Sequence, residues 1–144
     1  MRGVMSKSKT SDAAGFICAD CSNIDLGQCD LEQALVEFDK APWERELRNF
    51  EKLDGAASTP CWPDLTFRIG SYHIAYSLET NPSKFRVEVC MPNPRKLFGI
   101  FQRTKIFEFN NVEKSRAREY LRKFYSLGYP EQHEYYGRQK QNHL

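Results

Sequence analysis

At 144 residues, the chain is long enough for one domain that buries roughly two thirds of its unfolded surface without disulfide support. Its 40% hydrophobic and 28% charged residues are ordinary for a soluble globular protein. No apolar run approaches the ~20 residues of a membrane span, and the N-terminus lacks the apolar stretch of a signal peptide. These features exclude a membrane protein and predict a cytoplasmic one.

The composition divides the chain into three parts. Residues 1–13 are rich in Ser, Lys and Thr and are predicted to form a flexible N-terminal arm. Residues 14–128 carry the periodic apolar patterns and are predicted to form a single α+β domain. Residues 129–144 are predicted to be a polar C-terminal tail, from which Tyr135 and Tyr136 dock on the domain.

Two helical patterns come first along the chain. Apolar residues recur at helical spacing from Leu31 to Phe38, directly after Asp30, which is a favourable N-cap residue. A second helical stripe follows Pro42, a residue that suits a first helical turn and would kink a continuous helix. This stripe comprises Trp43, Leu47, Phe50 and Leu53. The pattern predicts two helices or one helix kinked at Pro42.

The stretch from Leu65 to Phe109 has the period of two that half-buried strands require. Three successive runs each have one apolar face, formed by Leu65, Phe67 and Ile69, then Tyr72, Ile74, Tyr76 and Leu78, then Phe85, Val87, Val89 and Met91. Gly70-Ser71 suits a tight type II′ turn between the first two runs. The apolar segment from Leu97 to Phe109 predicts either two short strands or one long bulged strand.

A last helix is predicted after the strands. Asn110 and Asn111 are its candidate N-caps, and Gly128 with Pro130 would end it. Because connections this short require antiparallel strands, the predicted fold is α+β: a four- to five-stranded antiparallel β-meander with N-terminal helices and a C-terminal helix packed on one face. The other face is expected to stay partly open and to present some of Arg68, His73, Ala75, Ser77, Lys84, Arg86 and Glu88.

Charge is distributed unevenly along the chain. The segment from Asp12 to Asp54 has eleven acidic and four basic residues, whereas the segment from Asp64 to Gly128 has six acidic and twelve basic residues. The predicted sheet and last helix therefore form a basic body with an acidic helical cover. This pattern favours charge pairing across the fold over a field that acts on a ligand.

The five cysteines are an odd number, which fits free thiols better than a disulfide framework. Cys18 and Cys21 have the Cys-x-x-Cys spacing of a zinc-binding pair, and Cys29 with Cys61 would complete a tetrahedral site. Real zinc sites usually bring a second closely spaced pair, and here the other two cysteines are isolated. The sequence therefore favours thiols and predicts no metal and no other cofactor.

Catalytic residues have the least support. Of the three histidines, His73 alone lies within the predicted fold, and it has no Cys or Asp at a spacing typical of a catalytic pair. The sequence also lacks a glycine loop for phosphate and a nucleophile elbow. We therefore predict a protein without enzymatic activity.

A basic and aromatic region is the main candidate for binding. The run Lys114-Ser115-Arg116-Ala117-Arg118 opens the last helix and resembles the basic helix start of double-stranded-RNA-binding domains, although the meander here is longer. This resemblance implies phosphate contacts, whereas the apolar run before it suits a protein partner or a dimer seam. The residues assigned to partner or nucleic-acid binding are Arg95, Lys96, Phe98, Phe101, Arg103, Lys105, Lys114, Arg116, Arg118, Arg122 and Lys123.

By elimination, the sequence predicts a small cytoplasmic binding protein that masks or inhibits a macromolecular partner, in the manner of immunity proteins or phage- and plasmid-borne inhibitors. A protein partner is expected, and a homodimer is left open. The alternative is a nucleic-acid-binding regulator that uses the basic last helix and the adjoining strand. A contiguous basic surface would favour nucleic acid, whereas alternating charges would favour a protein.

Overall fold

The computed structural model describes residues 9–55, 59–79, 83–92 and 104–142. Within these ranges the element order is β1 (Ala13–Ile17), β2 (Asn23–Asp25), α1 (Leu31–Lys40), α2 (Trp43–Leu53), β3 (Asp64–Ile69), β4 (Tyr72–Leu78), β5 (Lys84–Pro92), β6 (Thr104–Glu113), α3 (Lys114–Ser126) and α4 (Tyr129–Asn142). The α+β class is confirmed. None of the described helices is long and apolar enough to cross a membrane.

The strands form one antiparallel sheet in the order β2-β1-β3-β4-β5-β6. β3 to β6 correspond to the predicted meander, and the sheet has six strands instead of four to five because β1 and β2, which precede the helices, were not predicted. β1 pairs with β3 along its whole length, from Ala13 opposite Arg68 to Ile17 opposite Asp64. Its alternation rests on Ala14 and Phe16 alone, and all of β2 is exposed. Both strands form by pairing with a neighbour, which leaves little periodic signal in the sequence.

The helices between β2 and β3 begin where the sequence predicts. The Asp30 side chain accepts a hydrogen bond from the Gln33 backbone N–H at 2.8 Å, and the Gln33 side chain accepts one from the Asp30 N–H at 3.0 Å. This reciprocal capping box starts α1. α1 ends at Lys40 and α2 starts at Trp43, so the two-helix alternative is the one that the structure adopts.

An aromatic cluster fastens both helices to the sheet. The Phe38 ring of α1 lies 4.9 Å from the Tyr76 ring and 5.1 Å from the Phe85 ring, measured between centroids. The Trp43 ring of α2 lies 5.4 Å from Phe85 and 5.2 Å from Phe16. All five residues are buried. Aromatic pairs at these separations add to the free energy of burial, so this cluster holds α1 and α2 on one face of the sheet.

The predicted start of the last helix is wrong. Asn110 and Asn111 belong to β6, and the N-cap of α3 is Glu113, whose side chain makes no capping hydrogen bond. Opposite Phe85 and Val87 of β5, strand β6 carries one extra residue, and Asn111 has a φ of 60°. Asparagine tolerates the left-handed region that such a bulge requires, so the Asn pair marks a bulge and not a cap.

The C-terminal segment is a helix and not the predicted polar tail. α4 packs on β6 and buries Tyr136, whose hydroxyl donates a hydrogen bond to the Tyr120 carbonyl at 2.8 Å. Gln132 is also buried and donates to the Phe124 carbonyl at 2.9 Å. The prediction that tyrosines of this segment dock on the domain is confirmed. The two buried residues of α4, Gln132 and Tyr136, are one helical turn apart, and one of them is polar, so the sequence shows no apolar stripe that would mark the helix.

The end of the predicted N-terminal arm lies against the domain. Ser11 is fully buried, its N–H donates to the Cys29 carbonyl at 2.8 Å, and its hydroxyl accepts from the Cys29 N–H at 3.0 Å. The Lys9 ammonium group donates to the Leu127 carbonyl at 2.5 Å. Residues 9–12 are therefore part of the folded unit.

The core position of Phe124 in α3 provides a test of the helix orientation. Phe124 is fully buried, so Phe124→Ala should lower the free energy of unfolding by roughly 3 to 5 kcal/mol, because it leaves a cavity. Arg122→Ala is the matched control, because the Arg122 side chain is 44% exposed and forms a surface ion pair with Glu119. It should cost at most about 0.5 kcal/mol. Equal losses in a urea titration would mean that α3 is turned differently.

Candidate functional site

The face of the sheet that points away from the helices carries the candidate site, and we call it the open face. The cross-strand register arranges its residues in three rows. These rows are Ile17, Asp64, Ser77 and Arg86; then Gly15, Thr66, Ala75, Glu88 and Glu108; then Ala13, Arg68, His73, Cys90 and Ile106. The expectation that Arg68, His73, Ala75, Ser77, Arg86 and Glu88 share this face agrees with the register. Their neighbours on the same strand are buried, except that Ile69 beside Arg68 and Tyr72 beside His73 are half-buried. Lys84, the remaining residue expected on this face, lies opposite Glu113.

A histidine, a carboxylate and a thiol meet in the middle of the open face. His73 on β4 lies directly opposite Cys90 on β5, and Glu88 is two residues before Cys90 on the same strand. The ligand atoms of these three side chains all lie within 4.8 Å of one another. The Cys90 thiol donates a hydrogen bond to Glu88 Oε1 at 3.3 Å. The sequence analysis found no partner for His73 because the partner is 17 positions away and is brought close by the strand register.

The environment of this cluster favours protonated groups. Burial raises the pKa of the Cys90 thiol to about 12, and the hydrogen bond to Glu88 and the charge of Glu88 act in the same direction. Burial also raises the pKa of Asp64, against the opposing effect of the 2.5 Å hydrogen bond that Asp64 Oδ1 accepts from the Thr66 hydroxyl. The negative charge of Glu88 raises the pKa of Asp64 further, whereas His73 lowers it. Cys90 is thus a thiol at neutral pH.

Two shallow depressions lie on the open face. One has a volume of about 280 Å³ and is lined by Trp62, Asp64, Ala75, Ser77, Arg86 and Glu88. The other has a volume of about 320 Å³ and lies beside Gly15 between β2 and β3. Small side chains at Gly15, Ala75 and Ser77 account for both hollows. Ile17 lines the second hollow and is 38% exposed, and Ile106, on the same face of the sheet, is 51% exposed.

The predicted basic residues of α3 have acidic partners within the fold. Asp39 of α1 pairs with Arg118 and, at 3.8 Å, with the Lys114 ammonium group. Glu119 of α3 pairs with Arg122 at 3.3 Å and with Lys123 at 3.9 Å. The predicted pairing of the acidic cover with the basic body is therefore present at Asp39. Acidic side chains therefore lie beside basic ones on this surface.

The remaining candidate residues are not gathered into one patch. Lys105 is the second residue of β6, and its ammonium group lies over the Phe107 ring, 5.2 Å from the centroid. Lys105 and Lys114 are separated by the length of β6, which is about 30 Å at strand spacing. Arg116 lies on α3 with the other basic residues of that helix. Arg95, Lys96, Phe98, Phe101 and Arg103 lie outside the described residues.

The prediction of five free thiols is wrong, because Cys21 and Cys61 form a disulfide across 40 residues. Cys18, Cys29 and Cys90 are free and buried. Since Cys21 and Cys61 are bonded to each other, the four-cysteine zinc site cannot form in this structure. Disulfides persist mainly in oxidising compartments, so the cytoplasmic location stays a prediction.

Comparison with protein-family models, with curated proteins and with solved structures finds no match to this chain.

Loss of the disulfide should destabilise the protein. The chain-entropy relation gives about 4 kcal/mol for a loop of this length, and measured losses run from roughly 2 to 5 kcal/mol. Cys21→Ser with Cys61→Ser should therefore lower the free energy of unfolding by about that amount in urea. A reductant should lower wild-type stability to the level of this variant and leave the variant unchanged. A wild-type titration that does not respond to reductant would contradict the disulfide.

Because the pKa of Asp64 is raised, we expect Asp64→Asn to increase the free energy of unfolding by an amount that depends on pH. The carboxyl group ionises at a higher pH in the folded state than in the unfolded chain, so stability falls as pH rises between the two values. Asp64→Asn removes this loss and keeps the acceptor for Thr66. The variant should be more stable than wild type at pH 7, and the gain should vanish below about pH 4.

The matched control for this pH prediction is Asp25→Asn, which neutralises an exposed carboxylate on β2 of the same sheet. It should change the stability little at either pH. Urea titrations at both pH values provide the comparison, and a gain for Asp64→Asn that is the same at pH 3 and pH 7 would refute the assignment.

Proposed function

We propose that the protein is a non-enzymatic binding protein that masks a protein partner, and that this partner docks on the open face. The observation that carries the proposal is the difference between the two charged surfaces. On α3 the basic side chains Lys114, Arg118, Arg122 and Lys123 have acidic partners in the same fold. On the open face, polar and charged side chains surround shallow hollows with exposed apolar residues at the rim.

The paired charges of α3 argue for a protein partner over a nucleic acid. Binding to phosphates gains free energy by releasing counterions from the nucleic acid, and it requires cations that are free to replace them. Lys114 and Arg118 would have to leave Asp39, and Arg122 and Lys123 would have to leave Glu119. Breaking each of these ion pairs lowers the net free energy gained on binding phosphates. We therefore expect α3 to bind nucleic acid weakly.

The open face has the composition of a non-obligate protein interface. Such interfaces combine apolar contacts with polar groups and charges of both signs. Arg86 forms an ion pair with Glu108 at 3.1 Å, and Asp64 and Glu88 lie beside them. Trp62 is 37% exposed at the edge of the same hollow and is anchored by the hydrogen bond from its indole N–H to the Leu78 carbonyl at 2.8 Å. A fixed aromatic side chain beside a hollow is typical of an interface hot spot.

Ser77→Arg is the direct test, because it fills the hollow beside Trp62 without touching a buried residue. Arg122→Glu is the matched control on the outer surface of α3. Immobilised wild type, Ser77→Arg and Arg122→Glu are exposed to extract of the native host, and the retained protein is purified and titrated against each. We expect Ser77→Arg to weaken binding at least tenfold, about 1.4 kcal/mol, and Arg122→Glu to leave the equilibrium nearly unchanged.

Two results would contradict this proposal. The first is a partner that Ser77→Arg retains and Arg122→Glu loses. The second is submicromolar binding of wild type to DNA or RNA at about 0.15 M salt that is abolished by Arg116→Glu with Arg118→Glu, since the proposal expects dissociation constants weaker than about 10 μM. Sedimentation that gives a wild-type dimer and a Ser77→Arg monomer would identify the partner as a second copy of this chain.

A further inference from the structure

We propose that His73, Glu88 and Cys90 form a zinc site on the open face, with the fourth coordination position turned toward solvent. Their three ligand atoms already lie within 4.8 Å of one another on adjacent strands. This inference is independent of the proposed partner. It also uses none of the cysteines that the sequence analysis considered for zinc.

The three ligand atoms are close to the separations that a tetrahedral zinc ion requires. Bond lengths of about 2.3 Å to sulfur and about 2.0 Å to oxygen place those two atoms about 3.5 Å apart in a tetrahedron. Cys90 Sγ and Glu88 Oε1 are 3.3 Å apart. The imidazole nitrogen of His73 lies within 4.8 Å of both atoms, so it would have to move by at most about 1.5 Å, which a side-chain rotation supplies.

The scaffold holds these ligands at defined positions. β4 is bonded to β3 and β5, and β5 is bonded to β4 and β6, so neither strand is at the edge of the sheet. His73 and Cys90 are directly opposite, a relation that places their Cβ atoms about 4.5 to 5.5 Å apart. Ala75 lies opposite Glu88, and its small side chain leaves space above the carboxylate. Sites built on interior strands are more precise than sites on loops.

The chemical types of the three ligand atoms determine which metal ion the site prefers. One thiolate, one imidazole and one carboxylate suit zinc, whereas Mg²⁺ and Ca²⁺ prefer oxygen ligands alone. Zinc would take the place of the proton that Cys90 now shares with Glu88, and that proton would leave to solvent. Three protein ligands leave the fourth position for water or for a side chain of a bound partner.

Cobalt(II) is the probe, because a tetrahedral cobalt–thiolate site absorbs visible light strongly and has a near-ultraviolet charge-transfer band. The full chain is prepared without metal and without reductant in oxygen-free buffer, so the Cys21–Cys61 disulfide stays intact and three thiols remain. We expect one cobalt ion per chain with both signatures and displacement by one equivalent of zinc. Cys90→Ser should abolish the charge-transfer band.

Two further ligand variants and two thiol controls make the result decisive. His73→Ala and Glu88→Gln should each weaken cobalt binding by more than the roughly 10- to 100-fold that loss of an outer-shell partner costs. Cys18→Ser and Cys29→Ser remove the other buried thiols and should leave both bands unchanged. Circular dichroism verifies the fold of each variant. If Cys90→Ser does not fold, the His73 and Glu88 variants decide the question alone.

The proposal is overturned by any of three results. One is wild-type protein without a charge-transfer band at saturating cobalt. Another is a band that survives Cys90→Ser and is lost in Cys18→Ser or Cys29→Ser. The third is unchanged affinity in folded His73→Ala or Glu88→Gln.

Discussion

The structure depends on burying the aromatic inner face of the sheet under helices that all lie on the same side. Three buried tyrosine hydroxyls position α3. Tyr76 of the sheet donates to the Ala117 carbonyl at 3.0 Å, Tyr125 of α3 donates to the Cys29 carbonyl at 3.0 Å, and Tyr136 of α4 donates to the Tyr120 carbonyl at 2.8 Å. A buried hydroxyl without such a partner would cost free energy of desolvation. The Tyr76 bond fixes α3 on the sheet, the other two fix the neighbouring segments on α3, and the apolar contacts around them supply most of the stability.

This one-sided packing leaves the other face for polar side chains. Since neighbouring residues of a strand point in opposite directions, the register that buries Ile74 and Val89 also places His73 opposite Cys90. The same alternation that forms the core therefore assembles the thiol, imidazole and carboxylate cluster. A slip of one residue between β4 and β5 would separate its members and expose the core. The same strand register is therefore required for both the cluster and the hydrophobic core.

Local signals predicted most of the fold, and long-range contacts account for what was missed. The alternation from Leu65 to Met91 and the Asp30 cap carry their own periodicity and chemistry, and both were correct. β1 and the disulfide depend on residues that are about 40 to 55 positions apart in sequence, so no local pattern marks them. The open face was predicted from alternation, whereas the meeting of His73 with Cys90 required the register. The charge asymmetry indicated an acidic cover, but the particular pairing at Asp39 required the packing of α1 on α3.

The most direct test of this account measures which methyl groups a freely diffusing nitroxide reaches in solution. In the native protein, paramagnetic broadening should be strong for the methyl groups of Ala75, Thr66 and Ile106, because they lie on the open face. The methyl groups of Ile74, Leu65 and Val89 are in the same sheet on the buried face and should be protected. Ile74 and Ala75 are adjacent in β4, so the difference in broadening between their methyl groups is the most direct comparison of the two faces. Protection of Ala75 equal to that of Ile74 would contradict one-sided packing and remove the surface on which both proposals rest.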